Sequence, residues 1–303
     1  MKMRQILLAA LCFVASMFAV LSASAQLVRQ TAIKTLAGTG TAGYVAAQDG
    51  AAATLAQLNA PQGMTTDLVG HIYIADTANN RIRKIDALTG AITTVAGSGV
   101  AGYRAADENV QATFAQLNAP TDVIVDGNGT MYIADTGNHI VRKVVLSTGI
   151  ITTFAGTAGS GATKYNGGDG GPCTQENLSQ PVGLALGRDG GLFIADAGLN
   201  RVFYCVQYIG VVVGNGVGPY TTTALEENVR GPYVHISAPH GLAVDRAGNL
   251  YIADTGNKRI RVLPYNAFGA QTNVTTIAGD GTDYSAATEG SLATATGDRK
   301  SVV

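Results

Sequence analysis

The chain has 303 residues, a formal net charge of -1 and only 14% charged residues, and no basic block stands out along it. This charge pattern indicates no nucleic-acid partner, because a polyanion needs a concentrated basic surface. Glycine is frequent, with 39 residues, and the apolar runs are short. The composition therefore favours a turn-rich all-β protein.

The first 25 residues have the pattern of a secretory signal peptide. Lys2 and Arg4 precede an apolar run over 6–21, and Ala23-Ser24-Ala25 is a small-residue cleavage site. A run of about 16 residues is shorter than the ~20 that a membrane span needs, which favours cleavage over an uncleaved anchor. Cleavage leaves 18 basic and 21 acidic residues. We expect a secreted or periplasmic protein with no membrane span after cleavage.

One phrase then recurs four times along the chain. Its copies are Tyr73-Ile74-Ala75-Asp76, Tyr132-Ile133-Ala134-Asp135, Phe193-Ile194-Ala195-Asp196 and Tyr251-Ile252-Ala253-Asp254. A fixed period of about 60 residues indicates one supersecondary unit that is used repeatedly, with neighbouring units burying each other's apolar faces.

Each unit reads as four short strands joined by tight turns. A proline opens the first strand, a Gly- or Asn-containing turn follows, the recurring phrase forms the second strand, and two more strands complete the unit. Four antiparallel strands per repeat describe a β-propeller blade. The predicted blades span about 58–97, 117–156, 178–214 and 236–279, within a propeller region over 26–284 that precedes a linker-like tail over 285–303.

The repeat resembles the NHL repeat. The run from Pro239-His240-Gly241-Leu242-Ala243-Val244-Asp245 to Ile260 is similar to that pattern nearly throughout, and the resemblance covers roughly residues 33–280. The resemblance implies an NHL-type β-propeller. It does not imply one function, because the family includes enzymes, RNA-binding proteins and protein-interaction modules.

The blade count is lower than the resemblance leads one to expect. Family members of this type usually close as six-bladed rings, whereas this chain has four complete units and one additional outer strand, Ile33-Lys34-Thr35-Leu36-Ala37-Gly38, ahead of them. Two explanations remain open: a fragment of a longer propeller, or a small ring closed by itself or by a second copy. An open arc would expose an apolar face and a strand edge, so self-association is expected if the ring is open.

Several residues recur so regularly that we interpret them as structural. The aspartates Asp76, Asp135, Asp196 and Asp254 are expected to accept hydrogen bonds from the turn that follows each of them. Arg81, Arg201 and Arg259 are expected to make turn or inter-blade contacts. The third strands of the first two units, Ile82-Arg83-Lys84-Ile85 and Val141-Arg142-Lys143-Val144, alternate apolar and basic residues, which predicts strands with one exposed face.

The candidate binding residues lie at positions that do not repeat and in the linkers, each of which leads into the first strand of a blade. The four linkers span 38–60, 97–119, 156–180 and 214–238. Each linker carries a tyrosine after a Gly-rich start, and these are Tyr44, Tyr103, Tyr165 and Tyr220. Linkers that cross one face and rim the central channel would be the binding surface, although the tyrosines also suit a packing role. Asp122 replaces the glycine found at that position in the other blades, and His240 follows an inner-strand proline.

The sequence contains no evident catalytic constellation. Amidating lyases that resemble this chain bind zinc with histidines near the starts of inner strands, but only His240 matches, and the equivalent positions hold Gln62, Thr121 and Val182. A catalytic zinc site needs about three protein ligands. We therefore predict no metal and no cofactor. The alternative is a propeller enzyme of the lactonase or amidating-lyase type with Ca²⁺ or Zn²⁺ in the channel.

The leading prediction is a secreted NHL-repeat scaffold that binds an unidentified protein or small-molecule ligand. Cys12 leaves with the signal peptide, and two cysteines, Cys173 and Cys205, remain in the mature chain. Two cysteines do not make a disulfide framework, and the sequence leaves their pairing open because it does not supply the Cα separation that a bridge requires.

Overall fold

A computed structural model describes residues 33–159, 170–218, 227–265, 272–279 and 281. The chain divides into two units, Met1–Leu36 and Ala37–Val303, and all the blades lie in the second. The predicted signal peptide, the tail over 285–303, Tyr165 and Tyr220 lie outside the described residues. Within the described part of the chain, no helix is long and apolar enough to cross a membrane.

The first two sheets are antiparallel meanders in which each strand of the blade pairs with the next. The strands of the first blade are β1 (Pro61–Thr66), β2 (Ile72–Asp76), β3 (Arg81–Ile85) and β4 (Ile92–Ala96). The second sheet comprises β5 (Val110–Gln111), β6 (Asp122–Val125), β7 (Thr130–Asp135), β8 (Ile140–Val145) and β9 (Ile150–Ala155).

The third and fourth sheets repeat the same order. The strands of the third blade are β10 (Pro181–Leu186), β11 (Leu192–Asp196), β12 (Arg201–Cys205) and β13 (Ile209–Val213). The fourth sheet comprises β14 (Val229–Arg230), β15 (Pro239–Val244), β16 (Leu250–Asp254), β17 (Arg259–Leu263) and β18 (Asn273–Ala278). The predicted all-β architecture of four antiparallel four-stranded blades is confirmed.

Consecutive blades pack face to face through their apolar side chains. We call the face that contacts the next blade along the chain the forward face, and the opposite one the backward face. Between the first two blades, Tyr73 and Ala75 on the forward face of the first share a buried cluster with Val123, Met131 and Ile133 on the backward face of the second. Strand alternation explains this arrangement, because residues two apart point to the same side of a sheet.

The linkers cover the outer edges of the blades. The linker strand β5 pairs with the outer strand β9, and β14 pairs with the outer strand β18. In the first and third blades, isolated bridges join Ala52 to Ala91 and Pro172 to Tyr208. These segments therefore lie at the outer edge rather than at the rim of a central channel, where the sequence analysis expected them, and they cover the outer strand edges of the blades.

The additional N-terminal outer strand is not formed. Residues 33–38 have no strand structure, and the side chains of Ile33 and Leu36 are exposed. A strand is stable only where a neighbouring strand supplies ladder partners, and no strand within the described residues pairs with this segment. The prediction of an outer strand over 33–38 was wrong for this reason.

A disulfide joins Cys173 and Cys205, with a Cα separation of 6.1 Å. Both cysteines are buried in the core between the second and third blades. The bridge ties the third linker to β12. The sequence left this pairing open, and the blade geometry settles it because the linker lies directly against the face that carries Cys205.

Candidate functional site

The four recurring aspartates are fully buried and bind backbone amides ahead of their own blade. Each accepts a hydrogen bond of 2.7 Å from the N–H of the residue 17 positions earlier, just before the first strand; the donors are Asn59, Asn118, Ser179 and Ser237. In three blades the carboxylate also accepts from an asparagine amide in the following turn, namely from Asn79, Asn138 and Asn257. These aspartates join the two ends of the first hairpin of each blade.

Burial dominates the acidity of these carboxyl groups. It raises the pKa of Asp135 to about 7 and that of Asp254 to about 6, and it also raises the pKa of Asp76 and Asp196. The amide donors oppose this shift because they favour the charged form. Perturbed carboxyls often mark active sites, but here every one of the four is enclosed by structural hydrogen bonds.

Buried arginines are a feature that the sequence interpretation missed. Arg83, Arg142 and Arg261 are 1%, 0% and 1% exposed, so the prediction of an exposed face for the third strands of the first two blades was wrong. Each forms an ion pair with an acidic residue of the linker: Arg83 with Asp49 at 2.9 Å, Arg142 with Glu108 at 3.2 Å, and Arg261 with Glu227 at 3.4 Å. The linker covers the backward face, where the charged side chain would otherwise meet solvent.

The linker tyrosines contact both members of these ion pairs, the arginine with the ring and the carboxylate with the hydroxyl. The ring of Tyr44 lies 3.7 Å from the Arg81 guanidinium and 5.1 Å from that of Arg83, and its hydroxyl donates to Asp49 at 3.4 Å. The hydroxyl of Tyr103 donates to Glu108 at 3.3 Å, and its ring lies 5.3 Å from Arg142. Both described tyrosines thus hold the linker to the blade, while a ligand-binding role for them stays a prediction.

Arg81 and Arg201 hold the start of the linker that follows their blade. Arg81 donates to the Ser98 carbonyl at 2.7 Å, and Arg201 donates to the Asn215 carbonyl at 3.0 Å. Arg259 lies in the equivalent position against Gly281, where a Cβ would come within 2.7 Å of its guanidinium. The recurring arginines therefore fix the path by which the chain leaves each blade.

Asp122 connects the inner strands of the second and third blades. Its two carboxylate oxygens accept from the Leu184 amide at 2.8 Å and from the Val123 amide at 2.9 Å, and burial raises its pKa to about 6. At the equivalent position, Gly183 leaves no room for a side chain, because a Cβ there would lie 1.8 Å from the His240 carbonyl oxygen. Asp122 contacts the third blade through its side chain, whereas Gly183 contacts the fourth blade through its backbone.

His240 is exposed, and its Nδ1 lies 3.0 Å from the carbonyl of Ala238. Among the described residues, no group of three or more His, Cys, Asp or Glu side chains is arranged to hold a metal ion. The binding assignments of Asp122 and His240 stay predictions.

The linkers also present an exposed apolar residue at one shared position. Leu55, Phe114 and Tyr233 are 60%, 70% and 66% exposed, and each lies two residues after a buried small residue, namely Ala53, Ala112 and Gly231. The third linker has the exposed polar residue Gln175 at this position. Aligning the linkers on their buried small residue would have found this pattern in the sequence.

The fold and the repeated contacts define a β-propeller protein built from four-stranded antiparallel blades. The profile described as NHL repeat matches residues 237–263. The human NHL repeat-containing protein 2 is 31% identical over 249 residues, an alignment that covers 74% of this chain and 33% of that protein. This chain belongs to the NHL-repeat β-propeller family.

Two further similarities extend this comparison. Human Teneurin-1 is 30% identical over 241 residues, covering 72% of this chain and 8% of that protein. The structure of virginiamycin B lyase from Staphylococcus aureus shows a TM-score of 0.44 at 16% identity, covering 72% of this chain and 55% of that chain. The chain thus spans about a third of the length of NHL repeat-containing protein 2 and a far smaller share of Teneurin-1.

Proposed function

We propose that this protein is a binding scaffold that holds a protein partner against its linkers. The observation that carries the proposal is the row formed by Leu55, Phe114 and Tyr233, three large exposed apolar side chains at one position of three linkers. Exposed apolar side chains arranged as a set are typical of protein-interaction surfaces, and aromatic residues supply much of the binding energy there.

Ion pairs fasten the linkers that carry Leu55 and Phe114 to their blades. In the first two blades the linker is held by the buried ion pairs Arg83–Asp49 and Arg142–Glu108. A surface that is ordered before binding loses less conformational entropy when a partner arrives. The ion pairs therefore support binding even though they contact no partner themselves.

The spacing of the row favours a protein over a small molecule. Its members belong to the linkers of the first, second and fourth blades, and packed sheets are about 10 Å apart. A ligand that contacts two or three of these side chains at once must extend across several blades. A folded protein surface or an extended polypeptide has that reach.

We also propose that the protein is exported. The signal-peptide pattern over 1–25 and the disulfide between Cys173 and Cys205 support this, because structural disulfides persist in oxidising compartments. Expression of the full chain in a Gram-negative host, followed by mass determination of the periplasmic product, tests the proposal. A mature chain that starts at Gln26 is expected, and retention of the full chain in the cytoplasm contradicts it.

The scaffold proposal is tested with a variant in which Leu55, Phe114 and Tyr233 are all replaced by serine. The immobilised wild-type protein is used to capture a partner from the extracellular fraction of the organism that naturally produces it. The purified partner is then titrated against the wild type and the triple variant by calorimetry. We expect the triple variant to weaken binding at least about tenfold. The matched control replaces Leu68 and Leu88, two other exposed apolar residues, by serine and leaves affinity unchanged.

Two results would overturn the proposal. One is equal affinity of the triple variant and the wild type for the captured partner. The other is a stoichiometric Ca²⁺ or Zn²⁺ ion in the purified protein whose removal by a chelator lowers the melting temperature strongly, because that result favours the lactonase or lyase alternative.

A further inference from the structure

Each junction between consecutive blades contains one apolar core made of three parts. The forward face of one blade, the backward face of the next and the linker leading into that next blade all contribute. Between the second and third blades, for example, Tyr132 and Ala134 meet Leu184 and Ile194, and Leu178 of the linker closes the core. These three junctions show what each blade face requires for full burial.

The two outer faces of the four-blade array each hold half of such a core. On the backward face of the first blade, Ile74, Ile85 and Ile92 form a buried cluster with their own linker, and no second blade contributes to this cluster within the described residues. The inner part of that face stays open: Met64 is 67% exposed, whereas its equivalents Val123 and Leu184 are 0% and 3% exposed.

The forward face of the fourth blade is the complementary half. Its side chains Tyr251, Ala253, Ile260 and Ala278 are only half-buried. The equivalent residues of the first blade are all buried, and they are Tyr73, Ala75, Ile82 and Ala96. The fourth blade thus has the same forward-face residue types as the first, and no neighbour within the described residues covers them.

A glycine on the inner strand shows that the same face is open. A Cβ on Gly63 would lie 2.2 Å from Asp122 of the second blade, and one on Gly183 would lie 1.8 Å from His240 of the fourth. At Gly241 the nearest atom to a Cβ is Ala253 of the same blade, at 3.7 Å. Within the described part of the chain, the close inter-blade contact that requires glycine in the first and third blades has no counterpart at the fourth.

We propose that the forward face of the fourth blade binds the backward face of the first blade of a second copy of this chain. The second copy is the occupant because it carries the missing half of the core, with Met64 in the position that Val123 and Leu184 occupy at the interior junctions. The linkers already cover the outer strand edges, so the copies meet face to face rather than by strand addition. Two copies joined this way at both ends form a closed pair by a heterologous contact.

The oligomeric state of the full-length chain after signal removal gives the first test. Sedimentation velocity and light scattering over a hundredfold range of concentration are expected to show a dimer that dissociates on dilution. A monomer at every concentration overturns the proposal.

Charge placed at the contact gives the second test. In Ala253→Arg the new charge can extend into solvent in the monomer, but it is buried without a partner in the dimer. We expect it to raise the dissociation constant by roughly a hundredfold. Met64→Asp acts in the same way from the opposite face. Leu88→Arg, which changes an exposed residue of the β3–β4 turn, is the control and dimerises like the wild type.

Mixing the two variants distinguishes a specific contact from general apolar association. In a mixed dimer, one contact brings the introduced arginine of one copy toward the introduced aspartate of the other, and the second contact is wild type. We expect Ala253→Arg and Met64→Asp to be monomers separately and a dimer when mixed. Thermal unfolding shows that each variant is folded, and failure of the mixture of folded variants to associate overturns the proposed pairing.

Discussion

In the second blade a buried arginine holds the linker, whereas in the third a disulfide and a phenylalanine lie in the equivalent places. Arg142 pairs with Glu108 across the backward face, and Asn138 joins Asp135 to the carbonyl of Gly102. The third blade has the apolar residues Phe203 and Leu199 at the positions of Arg142 and Asn138, and both are buried. Equivalent positions thus hold polar side chains in the second blade and apolar side chains in the third, within the same blade fold.

The covalent bond in the third blade also has a counterpart in the second. Cys173 and Cys205 occupy the positions of Ala112 and Val144, which share a buried cluster. The bridge therefore replaces an ordinary apolar contact between linker and third strand. This comparison indicates that fastening the linker is the common requirement, and that its chemistry can vary between blades.

The largest expected effect comes from removing the arginine of the second blade. Arg142→Ala leaves a void and removes the cation that faces Glu108, and we expect a loss of about 3–5 kcal/mol in the free energy of unfolding, measured by urea denaturation. Arg142→Met keeps the volume and copies the apolar layer of the third blade, so it is expected to cost less than about 1.5 kcal/mol. Equal losses for the two variants would mean that the charge itself is required.

The next effect comes from giving the third blade the residues of the second. The double variant Cys173→Ala, Cys205→Val removes the bridge and keeps an apolar contact, and we expect a loss of about 2–4 kcal/mol, because the 32-residue separation is then unconstrained in the unfolded chain. The wild type in reducing agent should lose a similar amount. The reductant should not change the free energy of unfolding of the double variant. If it does, the reductant acts at a site other than the disulfide.

A smaller effect concerns pH and the buried carboxyl of the second blade. The pKa of Asp135 is raised to about 7, so between about pH 4 and pH 7 the folded state binds more protons than the unfolded state, and stability falls as the pH rises through that window. Asp135→Asn removes this contribution. Calorimetry at pH 5 and pH 8 is expected to show a fall in melting temperature that is a few degrees smaller for the variant than for the wild type.

In that experiment the third blade supplies the control. Asp196 accepts only backbone N–H donors among the bonds described for it, from Ser179, Gln180 and Leu199. In Asp196→Asn the new NH₂ group faces one of these backbone donors, which cannot turn away. In Asp135→Asn it faces the side-chain amide of Asn138, which can rotate to present its oxygen. Asp196→Asn should therefore lower stability more than Asp135→Asn at every pH. The opposite order would contradict the assignment of the two hydrogen-bond sets.

The smallest effect concerns the linker tyrosine. Tyr103→Phe removes the hydroxyl that donates to Glu108 and keeps the ring beside Arg142, and we expect a loss of about 0.5–1.5 kcal/mol in a denaturant titration. Affinity for a captured partner should not change if the tyrosine only holds the linker. A loss of affinity without a loss of stability would assign Tyr103 to the binding surface.

Much of the fold could be predicted from the sequence because the same strand and turn pattern recurs four times. The recurring phrase predicted the second strands, the prolines marked the first strands, and the period predicted blades. The structural role of Asp76, Asp135, Asp196 and Asp254 was also expected, although their main donors precede the blade rather than follow it. The candidate binding surface was harder to predict. Leu55, Phe114 and Tyr233 lie in linkers, and the alternation of residues in the strands does not indicate which linker side chains are buried.

The amino-acid sequence by itself determined the strands, their turns and the blade count, since period-two alternation and turn residues are local properties. Only the tertiary structure decided that Arg83, Arg142 and Arg261 are buried, that Cys173 pairs with Cys205, and that residues 33–38 form no strand. Each of these outcomes depends on what covers a face or an edge. A strand's own sequence specifies which side chains point each way, whereas the neighbouring blade or linker decides whether they meet water.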